Sequence, residues 1–500
     1  MTTIIRGGRL IDIAKHAAPP ADILVEGDCI REVGPSGMAA PSGAETLDAS
    51  GKLMMPGLIN AHTHCHGNLS KGMGDRWNLE LLLNAGPWLS GNRGLEDKYL
   101  SSLIGAVEMV RKGCTAAYDL TYEFPTPTPE GLEAMARAYS DAGMRAVLAP
   151  MMADRTFYQA TPGLLEALPG PLQRAAEKFR LAPYEQSLAA CATVLSGWAF
   201  DRQHVAPALA PTIPHHCQEA FLTAARDLAR EHGVGFHTHL LESKLQALAG
   251  IKLYGKTLCA YLDDLGILGP HFTAAHGVWL DDDDIRRLAD KGASVAHNPG
   301  SNARLGNGLA AVRRMRDFGL NVGIGTDGAS CSDNQNMFEA MRIASFVSRV
   351  QDVDYERWLK TDEVLTMATE GSARALGFAG KIGAIRPGYK ADIVFLDLAS
   401  INYVPLNDPT NQLVHTEDGT GVDSVMVGGR LVMENRRMTT IDEAKLARDA
   451  EAAAERLRAA NADFKGLAQE LEDVVGRFCV GLSRTPYHIE RHAPCTTTHG

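Results

Sequence analysis

Short apolar runs alternate with longer amphipathic patterns through the middle of the chain, from about residue 56 to residue 380. Runs of this length predict buried strands, and the patterns at 95–112 and 217–232 are typical of amphipathic helices. Strands that alternate with helices predict a parallel sheet, and eight of them predict an α/β fold of the (β/α)8 TIM-barrel type. A doubly wound open sheet is the alternative, but no GxGxxG motif follows a strand to support it. The predicted strands span residues 53–60, 115–120, 145–151, 205–210, 235–240, 272–275, 293–296 and 322–325.

Both flanks of this middle region are rich in short strand patterns. Those patterns lie at residues 3–10, 21–33, 388–396, 422–427 and 430–433. Neither flank has enough strands to bury a core alone, so we expect the two chain ends to pair into one small composite β-sandwich. Residues rich in Ala, Glu, Leu and Arg then predict a C-terminal helical extension. The expected division is 1–55 and 385–440 for the two halves of the β-sandwich, 56–384 for the barrel, and 441–500 for the helical extension and a loosely ordered tail.

Composition narrows the classes of protein. The formal net charge is −11 with no basic cluster, which argues against a nucleic-acid partner. Nine cysteines, an odd number with no CxxC pair, argue against a disulfide framework and for a reducing compartment. No uninterrupted apolar run approaches the roughly 18 residues that a membrane span needs. We therefore expect a cytoplasmic protein with no membrane partner.

Candidate metal ligands stand at the ends of the predicted strands. His62 and His64 follow the first strand at i and i+2, so they would share one face of it. Such a pair is half of a metal site, although His-x-His also arises by chance among 17 histidines. His239 ends the fifth strand and Asp327 the eighth, which would give a first-row metal three or four N/O ligands. No lysine between residues 178 and 244 is present to bridge a second ion, so one metal is the simpler interpretation.

Other histidines and carboxylates near these strand ends are candidates for acid–base chemistry. Glu242 follows His239 by three residues, and His276 follows the sixth strand directly. A structural role is the alternative for two of the candidates, with His276 in the core and Asp327 as a helix cap. His237 lies two residues deeper on its strand than His239, so we expect it in the core or behind the ligands.

Two long loops follow the first and third predicted strands, at residues 66–94 and 153–171. Loops of this length on the active face of a barrel often form lids or specificity walls. They carry Trp88 and Tyr158, which we expect to contact the substrate, with a simple cover for the barrel rim as the alternative for Trp88. His215 falls near the fourth strand end and is a further candidate for substrate contact.

Six ordered motifs surround these positions. They are PGLINAHTH at 56–64, HLLE at 239–242, AHGV at 275–278, HNPGSNARLG at 297–306, GTDGA at 325–329 and IGAIRPGYKADIV at 382–394. With them, residues 3–440 resemble the amidohydrolase superfamily. The sequence looks most like the branch that holds S-adenosylhomocysteine deaminases, guanine and cytosine deaminases, and triazine hydrolases.

The resemblance implies one divalent metal per subunit, zinc first and iron as the alternative. The implied ligands are His62, His64, His239 and Asp327. The resemblance also implies that Glu242 and His276 act on the bound substrate and water. Two positions depart from the pattern of many relatives, because Cys331 stands where a serine is frequent and Lys71 where an arginine is common. Cys331 is a further candidate for substrate contact, and the substrate is expected to differ from those of better-known members.

The predicted function is that of a metal-dependent hydrolase that acts on carbon–nitrogen bonds. It would be an aminohydrolase that removes an amino or alkylamino group from a nitrogen heterocycle through a metal-bound hydroxide. In this scheme Asp327 accepts a proton from water, Glu242 protonates a ring nitrogen, and His276 hydrogen-bonds the attacking oxygen. The alternatives are hydrolysis of an open-chain amide, urea or carbamate or of a ring halide at the same site, and a non-catalytic scaffold. The resemblance makes a homodimer or homotetramer the expected form of any assembly.

Overall fold

The computed structural model describes residues 2–492. The chain opens with five strands, β1 (Thr2–Leu10), β2 (Pro20–Glu26), β3 (Cys29–Pro35), β4 (Glu45–Asp48) and β5 (Lys52–Pro56). β1 pairs antiparallel with β2 and parallel with β4 and β5, while β2 pairs antiparallel with β3. The two-residue turn between β2 and β3 begins at Gly27, whose φ of +61° favours glycine.

A closed barrel of parallel strands follows. Its strands are β6 (Leu58–His64), β7 (Cys114–Thr121), β8 (Arg145–Met152), β9 (Val205–Pro207), β10 (Ala210–Pro211), β11 (Phe236–Leu240), β12 (Phe272–His276), β13 (Ser294–His297), β14 (Asn321–Ile324) and β15 (Asp327–Gly328). Parallel pairing runs from β6 through β7 and β8 to β9 and β10, and from β11 through to β14. A bridge between Leu209 and Phe236 joins the two arcs, and β15 pairs with β6 on the other side. The predicted (β/α)8 barrel is therefore confirmed.

Helices connect the barrel strands. They are α1 (Leu79–Ser90), α2 (Leu95–Arg111), α3 (Pro129–Ala142), α4 (Phe157–Ala160), α5 (Leu164–Ala167), α6 (Gly170–Ala176), α7 (Tyr184–Ser196), α8 (Glu219–His232), α9 (Lys244–Tyr254), α10 (Leu258–Asp264), α11 (Asp282–Asp290), α12 (Pro299–Arg304), α13 (Val312–Asp317), α14 (Met337–Arg349), α15 (Thr361–Thr366) and α16 (Ser372–Ala375). α3 shows how local sequence sets the ends of such a helix. The Thr128 hydroxyl accepts a hydrogen bond from the Gly131 N–H, Pro129 occupies the first turn, and Gly143 ends the helix with a φ of +76°.

The chain then returns to the first sheet. This part contains β16 (Ile393–Asp397), α17 (Pro409–His415), β17 (Val422–Val427), β18 (Arg430–Glu434) and β19 (Arg437–Met438). β16 pairs antiparallel with β5, with Val394 opposite Met55, and antiparallel with β17 on its other edge. Strands from both chain ends therefore form one nine-stranded sheet, with Ile5, Ile23 and Phe395 in its core, as the sequence predicts.

A buried ion pair joins this sheet to the barrel. Arg145 at the start of β8 donates from Nε to Asp392 Oδ2 at 2.8 Å and from Nη2 to Asp392 Oδ1 at 3.1 Å. Both side chains are buried, and the Gly428 N–H donates a further hydrogen bond to Asp392 Oδ1. A two-pronged contact of this kind fixes the orientation of the barrel against the sheet.

Two long helices close the described chain, α18 (Glu443–Ala460) and α19 (Ala462–Ser483). α19 packs against α1, and its Leu471, Val475 and Cys479 are buried among aromatic residues from the barrel loops. The tail that follows is not loosely ordered over residues 484–492, because Tyr487 and Ile489 pack against the core. Residues 493–500 of the expected tail lie outside the described residues. Between residues 2 and 492, no helix is long and apolar enough to cross a membrane.

Candidate active site

Three buried histidines meet at the carboxyl ends of two barrel strands. His62 and His64 end β6, and His239 lies one residue before the end of β11. Because alternate side chains of a strand share a face, His62 and His64 point the same way. The centroid of the His62 ring lies 4.7 Å from that of His64 and 5.1 Å from that of His239. The Nε2 atoms of His64 and His239 are only 3.1 Å apart, so these rings face a common point.

Backbone carbonyl groups orient two of these rings. His64 donates from Nδ1 to the Leu120 carbonyl oxygen at 2.8 Å, and His239 donates from Nδ1 to the Thr212 carbonyl oxygen at 2.7 Å. With the proton on Nδ1, the lone pair of each Nε2 is directed at the cluster, which is the usual arrangement of a metal-binding imidazole. His62 has no hydrogen-bond partner for either ring nitrogen among the described residues.

Asp327 brings a carboxylate to the same point. Its Oδ1 lies 3.3 Å from His64 Nε2 and 3.6 Å from His62 Nε2. The Ser301 hydroxyl donates to Oδ2 at 2.6 Å, and the Gly328 N–H donates to Oδ1 at 2.8 Å. Burial alone would raise the pKa of this carboxyl, but the neighbouring histidines hold that pKa well below its usual range. Asp327 is therefore an ionised oxygen donor.

The donor set fits a divalent metal ion. Ring nitrogens of His62, His64 and His239 lie within 4.8 Å of one another, and the same limit holds for His62, His276 and Asp327. Buried polar atoms normally have hydrogen-bond partners, but neither ring nitrogen of His62 has one among the described residues. A bound metal ion would supply that partner. Burial also lowers the pKa of His62 to about 3, which keeps its imidazole neutral as metal binding requires. Imidazole nitrogens with one carboxylate oxygen suit zinc or iron.

Two further titratable side chains face the cluster. His276 ends β12 with a φ of +70° and donates from Nδ1 to Asn302 Oδ1 at 2.9 Å. Its Nε2, which has no hydrogen-bond partner among the described residues, lies 3.7 Å from Glu242 Oε2 and 3.8 Å from Asp327 Oδ2. Burial, and then the charges of Asp327 and Glu80, raise the pKa of Glu242 well above its ordinary value. Burial therefore favours the protonated form of Glu242, beside an Asp327 whose neighbours favour its ionised form.

A cavity of about 230 Å³ opens above these groups. Glu242, His276 and Asp327 lie at its base, beside His64 and His239. Most of its upper wall is apolar, and that wall includes Leu79, Leu82, Leu83, Pro87, Leu89, Phe124, Pro125, Met151, Met152, Phe157, Tyr158, Phe179, Leu181 and Ile213. The wall comes from α1, from the loop after β7 and from α4, so it is built mainly by loops and short helices on the active face.

The structure separates the four predicted substrate contacts. Tyr158 and Cys331 lie in the lining of the cavity, whereas Trp88 and His215 do not. Trp88 is on the face of α1 that meets α19, where the Lys465 ammonium group lies 5.5 Å from its ring. His215 and His216 are neighbours in a single 3-10 turn, which directs His216 to the cavity and His215 into the protein.

His237 occupies the layer beneath the cluster. Its ring lies 5.0 Å from that of His62 and 4.4 Å from that of Tyr118, and it is fully buried. This is the position behind the ligands that its depth on the strand predicts.

Several polar residues without a predicted role hold these groups in place. Ser301 and Asn302, on α12, contact Asp327 and His276 respectively. Glu80 on α1 is buried and accepts a hydrogen bond from the Ser243 hydroxyl at 2.9 Å. Ser301 and Asn302 could have been found from the sequence, because both belong to the motif at 297–306. Glu80 could not, since its partner Ser243 lies 163 positions away.

A (β/α)8 barrel with histidines, an aspartate and a glutamate at its carboxyl-end face is an arrangement that suits metal-dependent hydrolysis. The chain belongs to the amidohydrolase family, with a match over residues 53–432. The resemblance predicted from the six motifs is thereby confirmed.

Curated relatives carry the names of deaminases. The chain is 32% identical over 438 residues to the 5'-deoxyadenosine deaminase of Methanosarcina mazei, a match covering 87% of this chain and 93% of that protein. It is 32% identical over 445 residues to the 5-methylthioadenosine/S-adenosylhomocysteine deaminase of Pyrococcus furiosus, covering 89% of this chain and 98% of the relative.

Solved structures of similar proteins contain zinc. An adenosine deaminase from Xanthomonas campestris with bound zinc superposes with a TM-score of 0.80 at 26% identity, over 91% of this chain and 98% of that one. An atrazine chlorohydrolase from Arthrobacter aurescens TC1 complexed with zinc superposes with a TM-score of 0.81 at 27% identity, over 90% of this chain and all of the other.

Proposed function

We propose that this protein is an aminohydrolase that replaces the exocyclic amino group of an adenine-type heterocycle by oxygen and releases ammonia. The observation that carries the proposal is the meeting of three groups at the base of an apolar cavity: Glu242, whose burial favours the protonated form, Asp327, whose neighbours favour the ionised form, and a His276 Nε2 with no partner among the described residues. A proton donor, a hydrogen-bond acceptor and a proton acceptor are the three groups that hydrolytic deamination needs.

We assign one divalent metal per subunit to His62, His64, His239 and Asp327. The support is the donor set, the unpaired nitrogens of His62 and the zinc of the two similar structures. No lysine lines the cavity within the described chain, which favours one ion over two. Zinc or iron bound there would lower the pKa of a water molecule from about 16 toward 7.

The side chains of the protein carry the protons. Asp327 Oδ2, which the Ser301 hydroxyl holds in place, accepts the proton that the attacking water loses. Because His276 donates through Nδ1 to Asn302, its Nε2 has a lone pair that orients the attacking oxygen by accepting a hydrogen bond. Glu242 donates its proton to the ring nitrogen beside the reacting carbon, which makes that carbon more electrophilic. Water and the amine therefore become the oxo heterocycle and ammonia.

The apolar wall of the cavity favours, as the substrate, an adenine derivative with a weakly polar substituent. One relative is named for 5'-deoxyadenosine and the other for 5-methylthioadenosine and S-adenosylhomocysteine; the first compound has a hydrogen and the second a methylthio group in place of the 5'-hydroxyl. Leu82, Leu83, Phe157 and Phe179 present apolar surface that suits such a group. We therefore rank 5'-deoxyadenosine and 5'-methylthioadenosine above adenosine as substrates.

A metal analysis combined with an ammonia-release screen tests the proposal. The panel contains 5'-deoxyadenosine, 5'-methylthioadenosine, S-adenosylhomocysteine, adenosine, guanine, cytosine, and amino-substituted pterins and triazines. We expect one zinc or iron per chain and ammonia from the adenine compounds. Glu242→Gln should keep its metal and lose most turnover, whereas His239→Ala should lose the metal. Full activity and equal metal content in either variant would refute the assignment.

A second candidate reaction keeps the site and changes the leaving group. It is favoured by the similarity to the atrazine chlorohydrolase, which is named for a chlorinated triazine. The same apolar wall would accept N-alkyl groups on a triazine ring. Chloride released from atrazine, with no ammonia from any adenine compound, would select this reaction over deamination. Amine release from open-chain amides, ureas or carbamates would select the remaining alternative.

We also propose a cytoplasmic, homo-oligomeric enzyme. All eight cysteines within residues 2–492 are free thiols, which supports a reducing compartment. Val350, Val353 and Tyr355 form exposed apolar surface on one side of the molecule, which a second copy would cover. Cell fractionation and sedimentation analysis test the two statements separately.

A further inference from the structure

A single short segment after β13 touches all three catalytic side chains. Ser301 donates to Asp327 at 2.6 Å, and Asn302 accepts from His276 at 2.9 Å. The third contact comes from Asn307, whose Nδ2 donates to Glu242 Oε1 at 3.0 Å. One stretch of seven residues therefore sets the orientation of the proton acceptor, the hydrogen-bond acceptor and the proton donor of the proposed reaction.

The contact from Asn307 selects which oxygen of Glu242 carries the proton. The carbonyl oxygen of a carboxylic acid is a better acceptor than its hydroxyl oxygen, so this amide N–H favours the form of Glu242 in which Oε1 is unprotonated. The proton is then on Oε2, the atom that lies 3.7 Å from His276 Nε2 and faces the cavity. Glu242 is 2% exposed, and the Asn307 amide is within hydrogen-bonding distance of Oε1.

Asn307 lies in a turn that the end of the described chain holds in place. We call residues 487–492 the C-terminal strap. The Leu309 N–H donates to the Arg491 carbonyl oxygen at 2.9 Å, and the His492 Nε2 lies 3.0 Å from the Gly306 carbonyl oxygen. Gly308, with a φ of +111°, permits this approach, because a Cβ there would lie 2.9 Å from the Arg491 carbonyl oxygen.

The C-terminal strap also contacts the segments that follow His276 and Glu242. Arg491 donates from Nε to the Val278 carbonyl oxygen at 3.0 Å and from Nη2 to the Leu280 carbonyl oxygen at 2.6 Å. Trp279, between these two residues, donates from its indole N–H to the Asn307 carbonyl oxygen at 2.9 Å. Glu490 lies 3.7 Å from the Lys244 ammonium group, two residues after Glu242.

We propose that Asn307 is a positioning residue for the proton donor Glu242, and that the C-terminal strap acts on catalysis by holding Asn307. The strap ties together the segments after β11, β12 and β13, so loss of its contacts frees the turn at residues 306–309. Asn307 then no longer holds Oε1, and the proton of Glu242 is no longer directed at the substrate. This inference rests on the proposed function, because it assigns a proton-donor role to Glu242.

Kinetics of three variants of the full chain form the first arm of the test. Asn307→Asp keeps the size of the side chain and replaces the donor by an acceptor, and we expect kcat to fall about 10- to 100-fold with KM and metal content unchanged. Arg491→Ala should lower kcat about 5- to 10-fold, as expected for one or two hydrogen bonds. The matched control is Arg477→Ala, which removes an exposed arginine of α19 that pairs with Asp473 and should leave kcat unchanged.

Coupling separates a positioning role from a merely structural one. If the strap acts through Asn307, Arg491→Ala should add no further loss of kcat to Asn307→Asp. Fully additive losses, an unchanged kcat in Asn307→Asp, or a loss of metal that matches the loss of activity would each overturn the inference.

Hydrogen exchange of the free enzyme is the second arm and needs no substrate. Arg491→Ala should raise exchange at residues 306–309 while β11 stays protected, and equal exchange with the unaltered protein would overturn the role of the strap. If no compound of the panel is hydrolysed, the proposed function fails, whereas the exchange experiment still decides whether the strap holds this turn.

Discussion

The side chains at the base of the cavity and those in its wall are held in place by different kinds of contact. At the base, His64 and His239 stand on strands, and backbone carbonyl groups of Leu120 and Thr212 fix their rings. In the wall, Tyr158 is held by another side chain, since its hydroxyl donates to Asn84 Oδ1 at 2.9 Å. Asn84 in turn donates to the Ala468 carbonyl oxygen on α19, 384 positions away. Backbone carbonyl groups therefore orient the rings of His64 and His239, and distant side chains shape the space for substrate.

This difference separates chemistry from selectivity. His64 and His239 stand on strands, so changes in the loops that form the wall should leave the positions of their rings unchanged. The wall consists of loops and short helices that α19 covers, so its shape depends on packing. We therefore expect changes at the base to abolish the reaction and changes in the wall to alter KM and substrate preference.

The largest effect is expected at the base, for His64→Ala. If His64 is a ligand as proposed, the loss of its imidazole should reduce bound metal to near zero and bring activity below detection. Metal content by atomic spectroscopy and ammonia release give the two readings. The control is His16→Ala, which removes a histidine that pairs with Asp408 far from the cavity. Retained metal and activity in His64→Ala would break the comparison between base and wall.

A smaller effect is expected for Ser301→Ala. This change removes the hydroxyl that donates to Asp327 Oδ2 at 2.6 Å and leaves the ligands in place. Side chains that hydrogen-bond to metal ligands typically change activity or metal affinity 10- to 100-fold when they are removed. We therefore expect a loss of about that factor in Ser301→Ala. Ser301→Thr keeps the hydroxyl and should restore most of the loss. Equal values for Ser301→Ala and the unaltered enzyme would show that Asp327 needs no such support.

The wall is tested by Leu471→Ala on α19, a fully buried side chain packed with aromatic residues of the cavity. The packing void left by the shorter side chain should lower the free energy of unfolding by about 2–5 kcal/mol. We expect KM to rise while kcat and metal content stay close to their original values. Val480→Ala, on the same helix but 46% exposed, is the matched control. A fall in kcat with constant KM would show that the wall also sets the chemistry.

The smallest effect is expected for Tyr158→Phe. It removes the hydroxyl that donates to Asn84 while keeping the ring in the wall. A single neutral hydrogen bond contributes about 1 kcal/mol, so KM should rise about fivefold. The control is Tyr355→Phe, which alters an exposed tyrosine. If kcat rather than KM changes, Tyr158 acts on the reacting groups and not only on the fit of the substrate.

The sequence predicted the barrel because each strand leaves a local mark. The apolar runs and the helices between them repeat often enough to give the strand order without any long-range information. The first predicted strand, 53–60, was nevertheless two strands, since β5 ends at Pro56 and β6 begins at Leu58. The apolar run continues across Gly57 and hides the change of sheet. A Cβ at Gly57 would lie 2.0 Å from Thr115 Oγ1, so this glycine is needed for a close approach that only the fold reveals.

Contacts between distant parts of the chain set the limit of sequence reasoning about the site. The proposed metal ligands could be named in advance because strand periodicity and motif order place them together. Trp88 could not be assigned correctly, because its direction depends on α19 rather than on its own helix. The same holds for Asn307, whose turn is fixed by Arg491, and for Glu80, which meets Ser243.

The pairing of β5 with β16 has a consequence for synthesis of the chain. Met55 and Val394 are opposite each other, so at ribosomal rates of about 5–20 residues per second β5 waits tens of seconds for its partner. During that time β5 has an open edge next to apolar residues, a surface on which strands of other chains can add. The nascent protein is therefore most exposed to aggregation before residue 394 emerges, and chaperone binding should concentrate in that interval.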